Sequence, residues 1–141
     1  MKKIVIVDDH TLLSQAISGL VNSFNDFEVL YTCKNGQEFL EQVRFENNRP
    51  DIVLMDVNMP IMDGIETTAY LKENFPEILV LALSVEEEDH TIIKMIRAGA
   101  KGYLLKDTEK SVLENALKEI SKNGYYHTNT CLLYTSPSPR D

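Results

Sequence analysis

The chain has 141 residues, 43% of them hydrophobic and 26% charged, with 14 Lys and Arg against 22 Asp and Glu for a formal net charge of -8. That size supports one domain with a real core, and the acidic balance argues against broad affinity for nucleic acid phosphates, which rests on clustered Lys and Arg. Cys33 and Cys131 stand far apart, with no CxxC and no paired Cys/His spacing, which argues against a zinc site and suits a reducing cytoplasm.

The opening MKKIVIVDD carries only four apolar residues before two aspartates, too few for a signal-peptide core or a membrane span. A cytoplasmic protein without an anchor is therefore expected. Ile4 to Val7 reads as a first strand. Leu13, Ala16, Ile17, Leu20, Val21 and Phe24 then recur at helical spacing.

A second strand is expected over Glu28 to Cys33, followed by a helix carrying Phe39, Leu40 and Val43. The run Ile52 to Met55 is apolar without alternation, as in a strand buried on both faces, and leads straight into Asp56. A weakly striped helix follows Gly64, over Ile65 to Asn74. The fourth unit pairs a strand at Ile78 to Leu83 with a helix at Asp89 to Ala98, the latter preceded by Glu86, Glu87 and Glu88. Negative charge is favoured at a helix N-terminus, so that acidic run reads as a solvated helix start rather than a metal site. Gly102 to Leu105 forms the last strand, and Leu113, Ala116, Leu117 and Ile120 the last apolar stripe.

Five strand-then-helix units with short connections imply an α/β fold, a parallel sheet covered on both faces. Strands 1, 3 and 4 are almost wholly apolar and belong in the middle; strand 2 mixes polar residues and strand 5 is short, so both suit edges. The order 2-1-3-4-5 satisfies this. Residues 1–122 are expected to form the domain and 123–141 a tail or truncated linker. The last eleven residues, CLLYTSPSPRD, lack periodicity and resemble cloning-derived sequence.

Ligands of such sheets bind beyond the carboxyl ends of the strands, where strand order reverses, here between strands 1 and 3. Asp8 and Asp9 end strand 1, and Asp56 ends strand 3. Three carboxylates in one pocket repel one another, so either their pKa values rise or a cation neutralises them, and oxygen ligands with open positions suit Mg²⁺. The competing reading makes Asp8 and Asp9 simple helix caps. Ser84 and Lys106 end strands 4 and 5 on the same rim. With a carboxylate nucleophile and a metal, a hydroxyl and an ammonium make a phosphoryl site, with an aspartyl phosphate as intermediate.

VDDH at 7 to 10, LMDVNMPIMDG at 54 to 64, LALS at 81 to 84 and GYLLKD at 102 to 107 resemble the receiver domain of bacterial two-component response regulators, over residues 1 to about 122. DDH together with GYLLKD is similar to the NarL/FixJ-like, LuxR-type subgroup. The resemblance implies a flavodoxin-like (CheY-like), doubly wound five-stranded sheet with five helices. It implies Asp56 as phosphoacceptor and Asp8 and Asp9 as the acidic pair for Mg²⁺, or alternatively Mn²⁺, with the Asn58 backbone carbonyl completing the metal shell. Ser84 matches the switch hydroxyl, Lys106 the phosphate-pairing lysine, and Tyr103 the aromatic that swings inward on activation. The partners implied are a sensor histidine kinase and a homodimer mate; DNA would be reached through a C-terminal domain lying outside this chain, and no membrane contact is implied. The chain is then a signalling phosphoacceptor rather than an enzyme.

Asp107 stands where the family often has proline, so no cis peptide is expected there. Val85 replaces a frequent small residue, and its methyl groups could narrow access to Asp56. His10 reads as a structural or outer-sphere neighbour of the acidic pair rather than a metal ligand or phosphodonor, because it has no second imidazole or thiolate partner. The helix at Asp89 to Ala98 holds Ile92, Ile93, Met95 and Ile96, more apolar surface than one buried face needs. An aspartate-nucleophile phosphatase would require a DxD pair after strand 1, and the chain has adjacent acids there. A receiver reduced to a phosphorylation-independent interaction module would have lost an acid, the hydroxyl or the lysine; all are present. Flavin or nucleotide carriers lack their glycine-rich loop here.

Overall fold

A computed structural model of the chain describes residues 1–85 and 89–126. In order the elements are β1 (Lys2–Val7), α1 (Thr11–Ser23), β2 (Phe27–Cys33), α2 (Gly36–Val43), a 3-10 turn (Glu46–Asn48), β3 (Ile52–Asp56), α3 (Gly64–Asn74), β4 (Leu79–Ser84), α4 (Asp89–Ala98), β5 (Tyr103–Leu105) and α5 (Lys110–Asn123). The strands pair in parallel in the order β2-β1-β3-β4-β5, as the apolar content of each strand predicts. Boundaries differ from the sequence expectation by a residue or two. The polar 3-10 turn is too short to leave any periodic signal in the sequence.

Alternation along the strands explains why the sheet is wound on both sides. Successive side chains point to opposite faces. Ile4, Ile6, Ile52, Leu54, Leu81 and Leu83 point to the face covered by Ile17 and Val21 of α1 and by Leu113, Leu117 and Ile120 of α5. Val5, Val7, Val53, Met55, Val80 and Ala82 face Phe39, Val43, Leu71, Ile92 and Met95 of α2, α3 and α4. Each fully buried aliphatic contributes roughly 1.5–3 kcal/mol, so the apolar runs in the central strands hold both layers to the sheet. β2 carries an irregularity opposite Ile4 and Val5, in keeping with its edge position.

Packing extends beyond Lys122. Gly124 ends α5 in a left-handed conformation, φ 85°, and its N–H donates to the Ile120 carbonyl at 2.9 Å. Tyr126 then turns back: its N–H donates to the Lys101 carbonyl at 2.8 Å and its side chain joins the α1/α5 layer. A Cβ on Gly102 would overlap the Tyr126 carbonyl, so glycine there lets the two backbones approach. The acidic run Glu86 to Glu88 and the final residues CLLYTSPSPRD lie outside the described residues.

Candidate functional site

Register places the expected site residues along one edge. Val7 pairs with Met55, so Asp8 leaves β1 beside Asp56 at the end of β3. Asp56 pairs with Leu83 and Ser84 with Leu105, and the Lys106 N–H donates to the Ser84 carbonyl at 2.8 Å. The carboxyl ends of four adjacent strands therefore deliver Asp8, Asp56, Ser84 and Lys106 to one rim.

Lys106 organises the acids. Its Nζ lies 3.1 Å from Asp8 Oδ2 and 3.1 Å from Asp56 Oδ1. The lysine side chain is only 7% exposed and Asp56 3% exposed. Asp8 Oδ1 accepts the His10 backbone N–H at 2.8 Å and lies 3.0 Å from His10 Nδ1. Burial first, and the neighbouring Asp8 charge second, raise the Asp56 pKa to about 6, with Lys106 and the Asn58 backbone N–H pulling the other way. One ammonium thus bridges two buried carboxylates.

The capping alternative for the acidic pair does not describe this geometry. The N-cap of α1 is His10, which makes no side-chain cap hydrogen bond, and Asp8 takes the N–H of His10 itself rather than one inside the helix. Asp8 Oδ2, Asp9 Oδ1 and Asp56 Oδ2 are enclosed and accept no hydrogen bond, although Asp8 Oδ2 lies at ion-pair distance from Lys106. Ligand atoms of Asp8, Asp9, His10 and Asp56 lie within 4.8 Å of one another. Enclosed carboxylate oxygens without donors are costly unless a cation meets them, so the donor set fits a hard divalent ion.

The loop after β3 is held at both ends. Gly64 N–H donates to the Val57 carbonyl at 2.9 Å, and Gly36 N–H to the Met62 carbonyl at 3.1 Å. Glycine at 64 answers to space rather than to φ, because a Cβ there would overlap the Asp56 carbonyl. Asp63 and Glu66 form a reciprocal capping box that starts α3 at this point. Between the pins, Ile61 adopts φ 69° while Met62 N–H donates to the Pro60 carbonyl at 2.7 Å, the strained γ-turn geometry that a β-branched residue rarely takes.

Other expectations fare differently. Tyr103, expected to await an inward swing, already lies inward: it is 4% exposed and packs in the α2–α3–α4 layer with Ile92 and Met95. Because β5 is short and α4 covers it, the ring finds apolar burial at once. Asn58 bears on the site through its backbone N–H, which favours the charged form of Asp56. Val85 stands largely exposed and lines the same depression as His10 and Lys106. Ile93 and Ile96 of α4 are half-buried, and Ile96 packs against the core, which leaves less spare apolar surface than the sequence implied. His10, read from sequence as a structural or outer-sphere neighbour of the acidic pair, lies against Asp8 through both its backbone N–H and its ring.

Comparison with known proteins agrees with this architecture. Residues 4–118 match the response regulator receiver domain family. The transcriptional regulatory protein DegU of Brevibacillus brevis is 35% identical over 124 residues, 88% of this chain and 52% of DegU. The oxygen regulatory protein NreC of Staphylococcus aureus is 34% identical over 125 residues, 88% of this chain and 57% of NreC. Among solved structures, the receiver domain of the response regulator NarL from Mycobacterium tuberculosis superposes with a TM-score of 0.80 at 26% identity, covering 86% of this chain and 97% of that one. The chain belongs to the response regulator receiver domain family. Within it, the likeness to DegU, NreC and the NarL receiver supports a NarL/FixJ-like grouping. It spans about half the length of the curated relatives it matches. Among the described residues no helix is long and apolar enough to cross a membrane.

Proposed function

We propose that Asp56 accepts a phosphoryl group from the phosphohistidine of a sensor histidine kinase in a Mg²⁺-dependent reaction, and that the resulting acyl phosphate switches the domain to control an output. The observation that carries this reading is the placement of one ammonium, Lys106 Nζ, 3.1 Å from both Asp56 and Asp8, beside an Asp56 Oδ2 that accepts no hydrogen bond. A free carboxylate oxygen is the nucleophile. As it attacks phosphorus, the O–P bond forms, the P–N bond to the donor imidazole breaks, and the electron pair returns to that ring.

Asp8, Asp9, Asp56 and the Asn58 carbonyl would hold the Mg²⁺, with Mn²⁺ as the alternative. When bound, the ion supplies Lewis-acid neutralisation of phosphoryl oxygens. Lys106 then exchanges Asp8 for a phosphoryl oxygen, and Ser84 offers its hydroxyl from the adjacent strand end. Because both sit at the ends of β4 and β5, their movement shifts the loops that follow. Tyr103 is already buried, so on this reading the switch lies in those loops more than in the ring. The only reaction the domain carries out is on itself: phosphotransfer and autodephosphorylation.

The printed name of DegU, a transcriptional regulatory protein, supports transcription as the output, through a DNA-binding segment beyond this chain. Self-association is part of the reading and is checked by sedimentation before and after phosphorylation. The central test is intact mass after incubation with acetyl phosphate and Mg²⁺. One phosphoryl group is expected on the wild type and none on Asp56→Asn; persistent labelling of the Asn variant would overturn the assignment. Turnover of a small phosphomonoester would instead favour a phosphatase.

A further inference from the structure

His10 is the one group of the cluster that the phosphoryl chemistry leaves unused. Its side chain is 59% exposed, so it is not a core histidine filling space. Yet its Nδ1 lies 3.0 Å from Asp8 Oδ1, 3.6 Å from Asp9 Oδ1 and 3.1 Å from Lys106 Nζ. Toward Lys106 the ring nitrogen can only accept, through a lone pair in the Nε2–H tautomer, whereas toward Asp8 Oδ1 it can only donate, so the two contacts ask for opposite tautomers. In the Nε2–H tautomer the Nδ1 lone pair is directed into the cluster. The backbone N–H of the same residue is tied to Asp8 at 2.8 Å, which limits how far the ring can wander.

We propose that His10 gives a nitrogen ligand to the cation held by Asp8, Asp9 and Asp56, so that this pocket favours borderline transition ions such as Ni²⁺ and Co²⁺ more than an all-oxygen pocket would. The inference rests on the cation site proposed above. Octahedral ions with bonds of about 2.1 Å bring adjacent donor atoms to roughly 3.0 Å and opposite ones to roughly 4.2 Å. The two His10–carboxylate separations fall near the adjacent value, and the full set, within 4.8 Å, needs only a small contraction. Asp9 Oδ1 and Asp56 Oδ2, enclosed and without hydrogen-bond partners, are the oxygen donors such an ion would meet first. Carboxylates suit Mg²⁺ and Mn²⁺, whereas imidazole raises affinity along the series toward Ni²⁺ and Cu²⁺. The competing reading is that Nδ1 carries its proton and merely steadies Asp8.

The test uses the untagged full chain with His90→Gln and His127→Gln, which leaves His10 as the last of its three histidines. Mg²⁺ and Ni²⁺ are titrated by calorimetry, and nitrogen hyperfine coupling to bound Mn²⁺ is read by pulsed electron paramagnetic resonance. His10→Ala is expected to lower the ratio of Ni²⁺ to Mg²⁺ affinity by about tenfold and to abolish the nitrogen coupling. A ratio unchanged within about twofold, with no nitrogen coupling in the parent, overturns the ligand role while Mg²⁺ binding stands. Absence of Mg²⁺ binding in the parent overturns the cation site itself, and the inference with it.

Discussion

Replacing Asp56 by Asn tests the electrostatics of the crevice without any phosphodonor. The folded protein holds the Asp56 proton with a pKa of about 6 against an ordinary 3.8, because the carboxylate is buried and faces Asp8. A raised acid pKa means the folded state binds the proton more tightly than the unfolded one. The ionised carboxylate therefore costs folding free energy at high pH, in full above about pH 6, and the cost disappears below about pH 4. At about 1.36 kcal/mol per unit, the difference amounts to at most about 3 kcal/mol. Asn keeps the shape and removes the charge, so Asp56→Asn is expected to be more stable by about 1–3 kcal/mol at pH 7.5 and by about a third of that at pH 4.5. Urea melts at both pH values read this directly; with slopes of about 1–3 kcal/mol/M, the midpoint moves by roughly 1 M. Mg²⁺ at ten times its dissociation constant should return about 1.4 kcal/mol to the wild type and little to the variant. A variant less stable at pH 7.5, or a difference flat between the two pH values, would refute the reasoning.

Lys106→Met strips the ammonium from Asp8 and Asp56 and leaves two buried carboxylates facing each other. It should lose about 3 kcal/mol at pH 7.5 in urea melts, and adding Asp56→Asn should recover part of that loss. Gly64→Ala drives a methyl into the Asp56 carbonyl and is expected to cost about 2 kcal/mol in thermal unfolding. Ile61→Asn should have the opposite effect: residue 61 is 79% exposed, so no burial is lost, and Asn tolerates φ 69° at lower strain. A gain of about 1 kcal/mol in a urea melt is expected.

Much of the fold was legible because strand type and burial share one cause. The run IVLM before Asp56 has no polar face, so it had to be central, and the mixed residues of β2 and the brevity of β5 placed both at edges. The placement of Asp8, Asp56, Ser84 and Lys106 followed, since the ends of parallel strands share one rim. What stayed hidden depends on three-dimensional packing. The inward rest of Tyr103 is decided by α4 lying over β5. The left-handed Ile61 ran against local preference, because a β-branched residue gives no sign of such a φ. Gly64 announced a turn, but its reason is the carbonyl of Asp56 pressed against it. The bridge made by Lys106 between two acids depends on side-chain reach that spacing does not encode.

The return of Tyr126 onto Lys101 and Gly102 has a practical consequence for anyone shortening this polypeptide. Cutting after Lys122 would strip a ring from the bottom of the last two strands, uncover Leu81 beside Gly102, and leave the Lys101 carbonyl seeking water. It would also remove the tie between the end of α5 and the approach to β5, the strand whose far end leads into Lys106. A truncated version would then report a less stable domain than the longer chain forms.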